Sequence, residues 1–229
     1  MTAAIIDSKY FGSTFGDQAV QRIFTDEGRF SAWLRVEAAL ARSQARLGLI
    51  PQEAAEAITK AAKVENLDTK KMAEEYQRIG FPILPLVHEL AKCCDKESAR
   101  WIHWGATTQD ITDTGLVLQM KDAFSIIDAQ LGELIAAVSI LSKEHRLTVM
   151  AGRTFQQQAA PITFGFKTAI WLDELLRHRD RLPDIKKRAL VCQYGGAVGT
   201  LATLGDRGLD VLKELSQELE LEEPAITWH

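Results

Sequence analysis

Cysteine is scarce in this chain of 229 residues, and so is proline, at three and six residues. Cys93 and Cys94 are adjacent, where a mutual disulfide would strain the backbone, and Cys192 leaves the count odd. A set this sparse excludes a disulfide framework and fits reduced, packed thiols in a reducing compartment. The five histidines, His88, His103, His145, His178 and His229, are scattered, with no HExxH and no Cys/His cluster, so no metal is expected. An excess of positive charge is also missing. At a net charge of −4 nothing predicts a nucleic-acid partner. The opening MTAAIIDSKYFGS lacks the basic start and apolar run of a signal peptide. No unbroken run of about eighteen apolar residues is found, so no membrane span is expected. The reading is a soluble, cytoplasmic protein. Alternating strand patterns of any length are absent too, which predicts an all-α fold.

What is present supports that fold. Apolar residues make up 46% and charged residues 25%, enough to bury a core. Short helices are expected over 26–47, 51–63, 69–79 and 86–95, several of them bounded by Gly48, Pro51, Gly80 and Pro82. From Ile111 to about Arg146 there is no proline. There Leu116, Met120, Ala123, Ile127, Leu131, Leu134, Val138 and Leu141 recur in steps of three and four, close to a heptad seam. At about 1.5 Å per residue that helix would run roughly 50 Å. A second long helix is expected from near Pro161 to about Arg188, and a third over 207–221. The organisation is therefore an N-terminal helical domain, 1–110, followed by an incomplete central long-helix bundle, 111–229. Helices of this length need more partners than three, so the seam predicts a homo-oligomer or further chain.

Two polar segments carry the candidate chemistry. In Trp101–Asp110, Gly105 permits a turn, Thr108 or Asp110 can cap the helix that follows, and free N–H groups at a helix start attract anions. Thr107, Thr108 and Gln109 can donate to a carboxylate, and His103 can donate a hydrogen bond or a proton. In Gly152–Pro161, Arg153 offers a planar fork for a carboxylate, with Thr154 and Gln156–Gln158 as neutral donors. Taken singly, each segment is best explained as a capped helix start or a surface connection. The glycine-rich Gln193–Leu201 reads as a tight turn with close helix packing, and Arg177–Arg181 as a solvated or interface-facing helix surface.

Together and in this order the segments resemble the fumarase/aspartase superfamily. "WIHWGATTQDITDT" (Trp101–Thr114) is similar to its first signature region and "AGRTFQQQAAPITFGFKTAIWLDELLRHRDRL" (Ala151–Leu182) to its second. "QYGGAVGTLATLG" (Gln193–Gly205) and the helices of Phe24–Pro51 extend the likeness over nearly the whole chain. Within the superfamily the wording leans to the 3-carboxy-cis,cis-muconate cycloisomerases, with the adenylosuccinate lyases as near relatives. The latter carry GRTH where this chain has GRTF, so Phe155 replaces a proton-exchanging histidine.

The resemblance implies a cofactor-free reaction on a small polycarboxylate. A carboxylate of a muconate adds across a double bond to close a lactone through an aci-carboxylate intermediate, which preorganised donors hold more tightly than the substrate. It implies carboxylate binding by Thr107, Thr108, Gln109, Arg153, Thr154 and Gln157, with His103 orienting substrate or moving a proton. It also implies a homotetramer whose sites draw on three subunits. The Ser-rich loop of the form GSSxMPxKxNP, which carries the expected general-base serine, does not occur between residues 1 and 229. The expectation is thus an N-terminal portion. The alternatives are an adenylosuccinate lyase-like eliminating enzyme and, from another class, a catalytically incomplete helical oligomerisation module.

Overall fold

The structure is a computed structural model that describes residues 4–229. Its helices are α1 (Gly12–Phe15), α2 (Gln18–Ile23), α3 (Asp26–Arg46), α4 (Gln52–Ala61), α5 (Thr69–Ile79), α6 (Ile83–Lys92), α7 (Lys96–Ala99), α8 (Thr108–Glu144), α9 (Phe164–Ala189) and α10 (Gly208–Leu219). Between α8 and α9 lie two strands, β1 (Val149–Thr154) and β2 (Gln157–Thr163). Among the described residues the regular elements are helices apart from this hairpin and an isolated bridge between Val191 and Glu222. The chain divides into two units, Met1–Asp122 with Arg188–His229, and Ala123–Lys187.

The first unit is organised around α3. Thr25 caps it by accepting from the Gly28 N–H at 3.1 Å, Asp26 and Glu27 sit in its first turn, and Gly48 follows its end at φ +71°. Leu34, Val36, Ala39 and Leu40 of α3 are buried with Ile58 of α4, Leu86 and Leu90 of α6, Ile111 and Leu118 of α8, and Val211 and Leu215 of α10. Full burial of each such aliphatic side chain contributes about 1.5–3 kcal/mol before chain entropy is set against it. Arg42 and Arg46 of α3 pair with Glu218 of α10 at 2.7 Å, which fixes the face that α10 presents.

The second unit holds most of α8, the hairpin and most of α9. Gly165 allows the start of α9 to lie against the end of α8, since a Cβ there would stand 2.6 Å from the Ser142 carbonyl oxygen and Arg146 Cα. The Ser142 hydroxyl donates to the Gly165 carbonyl at 3.1 Å, and Lys186 pairs with Asp128 toward the other end, so α8 and α9 run antiparallel here.

The hairpin corrects the reading that no strands occur. β1 and β2 are antiparallel, with Thr154 opposite Gln157 and Arg153 opposite Gln158. The two-residue turn consists of Phe155 and Gln156, both in the left-handed region at φ +48° and +61°. Pro161 pairs with Ala151 in the ladder, and α9 starts at Phe164, three residues beyond the proline expected to open it. Asp110 is not the cap of α8 either. It sits in the first turn and accepts the Thr107 N–H at 3.0 Å, as the acidic residue of a capping box does.

The seam of α8 is uneven: Ala123 and Val138 are buried, while Leu116, Ile127, Leu134 and Leu141 are exposed. By length and composition α8 is also apolar enough to cross a membrane, with a mean hydropathy of 1.6 over its best window. The sequence reading required an unbroken apolar run, and α8 reaches this value despite Asp128 and Glu133.

Candidate functional site

In the first unit the polar turn between α7 and α8 is held from three sides. Gly105 lies at φ +72°, and a Cβ there would stand 3.1 Å from Leu204 and 3.3 Å from the Tyr194 hydroxyl. The Gln44 side-chain amide donates to the Trp104 carbonyl at 2.7 Å. Asp110 is fully buried and ties this turn to the glycine-rich segment, accepting from the Gly195 N–H at 2.8 Å, the Gly196 N–H at 2.9 Å and the Gln193 side chain at 3.2 Å. Burial pushes its carboxyl above the usual range although these donors and Thr107 pull the other way. Thr114 on α8 exchanges hydrogen bonds with the Gln193 backbone at 2.7 and 2.9 Å. Gln193–Leu201 is therefore a turn docked on the start of α8. Next to it burial raises the Cys192 thiol to about 11, which makes it an inert packed group.

His103 stands at the opening of this turn in the left-handed region, at φ +61°. Its ring Nδ1–H donates to Glu37 Oε1 at 2.6 Å, and its backbone N–H donates to Glu37 Oε2 at 3.1 Å. Glu37 comes from the middle of α3, and its side chain is completely buried. Burial alone would lower the pKa of the His103 imidazole. The charge and hydrogen bond of Glu37, with Asp110 behind, outweigh it and hold the value above the ordinary 6.5.

The hydroxyls of Thr107 and Thr108 and the Nε2 of His103 have no hydrogen-bond partner among the described residues. Gln109 donates one amide N–H to Asp113 at 3.0 Å and keeps the second. Its carbonyl faces the ring of His229, whose other nitrogen lies 2.7 Å from the Ala197 carbonyl. Trp228 donates to Asp113 at 2.7 Å. Thr107, Thr108 and Gln109 thus keep unspent donors at the start of α8, and His103 keeps one in the turn before it.

In the second unit Arg153, Thr154 and Gln157 lie at the exposed tip of the hairpin, and none has a side-chain partner among the described residues. Strand alternation sets Thr154 and Gln157 on one face and Arg153, with Gln158, on the other, so the three do not share a face. Phe155 forms the turn at 97% exposure.

Sequence reasoning missed Glu37, Gln193 and His229. Glu37 occupies a core position of a helical stripe, and a charged residue there was the one available signal. An apolar hollow of about 550 Å³ between Phe30, Trp33, Met72, Tyr76 and Pro85 shares no lining residue with these groups.

Residues 15–226 match the family model described as Lyase. The chain belongs to this lyase family, within the fumarase/aspartase superfamily. It is 47% identical to an uncharacterized protein of Schizosaccharomyces pombe, over 100% of this chain and 51% of that protein. It is 40% identical to the N-acetyl-S-(2-succino)cysteine lyase of Enterococcus italicus, over 100% of this chain and 50% of that one. Among solved structures, the 3-carboxy-cis,cis-muconate lactonizing enzyme of Pseudomonas putida superposes with a TM-score of 0.92 at 42% identity, covering 97% of this chain and 51% of that chain. The chain spans about half the length of the relatives it matches. The lyase resemblance of the sequence and its all-α architecture are both confirmed.

Proposed function

We propose that this chain forms the carboxylate-binding part of a cytoplasmic lyase-superfamily enzyme that closes a lactone from a carboxylated muconate, as 3-carboxy-cis,cis-muconate cycloisomerases do. The observation that carries the reading is the set of unspent donors at the start of α8, the Thr107 and Thr108 hydroxyls and His103 Nε2, in a chain of this family. These groups hold one substrate carboxylate together with the second amide N–H of Gln109. Arg153 offers a charge-assisted fork to a substrate carboxylate, and Thr154 and Gln157 offer neutral donors from the opposite face of the hairpin tip. Charge grows on the substrate in the aci-carboxylate, so rigidly placed donors favour it over the ground state. The general-base serine lies outside residues 1–229, and the working form is a homotetramer that covers the exposed α8 residues. Phe155 takes no part in proton transfer.

A second reading, an enzyme that eliminates a group β to a carboxylate, is favoured by the likeness to the succinocysteine lyase over the whole chain. Side-by-side assays of the protein with a tricarboxylic muconate, adenylosuccinate and a succinylated cysteine separate the two. Lactone formation supports the first reading, and release of fumarate from either adduct replaces it with the second. Turnover of none of them supports a helical oligomerisation module instead.

A further inference from the structure

Resting on the reading of His103 as a substrate-facing group, we infer that Glu37 is a positioning residue, whose buried carboxylate fixes the His103 ring so that Nε2–H is presented to a substrate carboxylate. Three observations carry this. First, both Glu37 oxygens are used on the same residue, one on the backbone N–H and one on ring Nδ1, at 3.1 and 2.6 Å. A bond to the backbone alone would hold the turn. The second bond sets the ring orientation and leaves Nε2 as the outward nitrogen. Second, His103 occupies a left-handed conformation at φ +61°, where a glycine would be free of strain, as Gly105 is two residues on. The imidazole is thus kept where a plain turn would dispense with it. Third, the His103 side chain retains 21% exposure while Glu37 has none, so the pair is sealed on the carboxylate side and open on the ring side.

The charges that reach the ring are both negative, Glu37 from α3 and Asp110 from α8, and the neighbouring Tyr194 stays neutral because burial raises its pKa. They favour the doubly protonated ring, which can donate from Nε2 while Nδ1 remains bound to Glu37. The Glu37–His103 pair is then an anion receptor with its counter-charge hidden in the core.

The test is long-range ¹H–¹⁵N NMR of histidine-labelled protein, with tricarballylate as a non-reacting tricarboxylate probe. The expected result is an Nδ1 that keeps its proton across the titration, an Nε2 that titrates, and an Nε2 signal that moves when tricarballylate is added. Glu37→Gln should move the titration to lower pH and weaken tricarballylate binding about tenfold, the range of one hydrogen bond to a charged group. With a turned-over substrate the same variant should raise KM about tenfold and change kcat far less, a split that a purely structural role would not give. An Nδ1 that titrates in the unaltered protein, or equal tricarballylate affinity with and without Glu37, overturns the inference. The first of these needs no variant, so it stands even if Glu37→Gln fails to fold. Absence of turnover together with the expected NMR result would sink the enzymatic reading and leave the Glu37–His103 receptor intact.

Discussion

The Asp110 carboxylate accepts the backbone N–H of Gly195 at 2.8 Å, across 85 residues of sequence. Through this bond and its neighbours at Gly196, Gln193 and Thr107, the first polar segment and the glycine-rich segment become one structure. The donors at the start of α8 are rigid because of it.

Replacing Asp110 by alanine strips the acceptor from four donors at once, three of them buried. Breaking a buried charged network in this way costs about 3–5 kcal/mol. Urea denaturation should show that loss as a lowered midpoint, and a change below about 1 kcal/mol, the size of an ordinary surface substitution, would refute the anchoring role.

The Glu37–His103 pair makes stability depend on pH. The folded-state pKa of His103 is raised above its ordinary value of 6.5. Its contribution is therefore complete below about pH 6.5 and is lost as pH rises through the folded value. Denaturation series on the unaltered protein and on His103→Gln should converge as pH rises through that window. A gap that widens with pH would have the wrong sign.

The hairpin turn is strained in a correctable way. Phe155 and Gln156 both hold positive φ, where a side chain costs roughly 1–2 kcal/mol per residue. The double change Phe155→Asn and Gln156→Gly supplies the residues that such turns favour. It should slow hydrogen exchange of the hairpin amides and raise the unfolding temperature, whereas faster exchange would show that the turn has another conformation.

This hairpin also marks where sequence legibility ended. The helices over 26–46 and 69–79 were readable because Thr25, Asp68, Gly48 and Gly80 supply the caps and stops that local chemistry demands. β1 and β2 were not, because their turn carries neither glycine nor asparagine and the ladder is irregular between Gly152 and Arg153. Thr107, Thr108 and Gln109 are legible as candidate donors because Gly105 and the threonines mark a helix start, which the structure places at Thr108. Glu37 was hidden, since its partner lies 66 residues away and only tertiary packing brings the two together.

The exposed residues Leu116, Ile127, Leu134 and Leu141 of α8 predict association. Light scattering after gel filtration should give a multiple of the chain mass, 25.5 kDa for these 229 residues. A stable monodisperse monomer would contradict the assignment of this face to partner chains.

The central claim is that this chain binds substrate carboxylates for a lyase-superfamily reaction, and kcat/KM of Arg153→Ala on the tricarboxylic muconate tests it most directly. Loss of a charge-assisted contact of about 1.5–3 kcal/mol predicts a fall of roughly ten- to a hundredfold, with the fold unchanged by circular dichroism. Turnover equal to that of the unaltered protein would contradict the account.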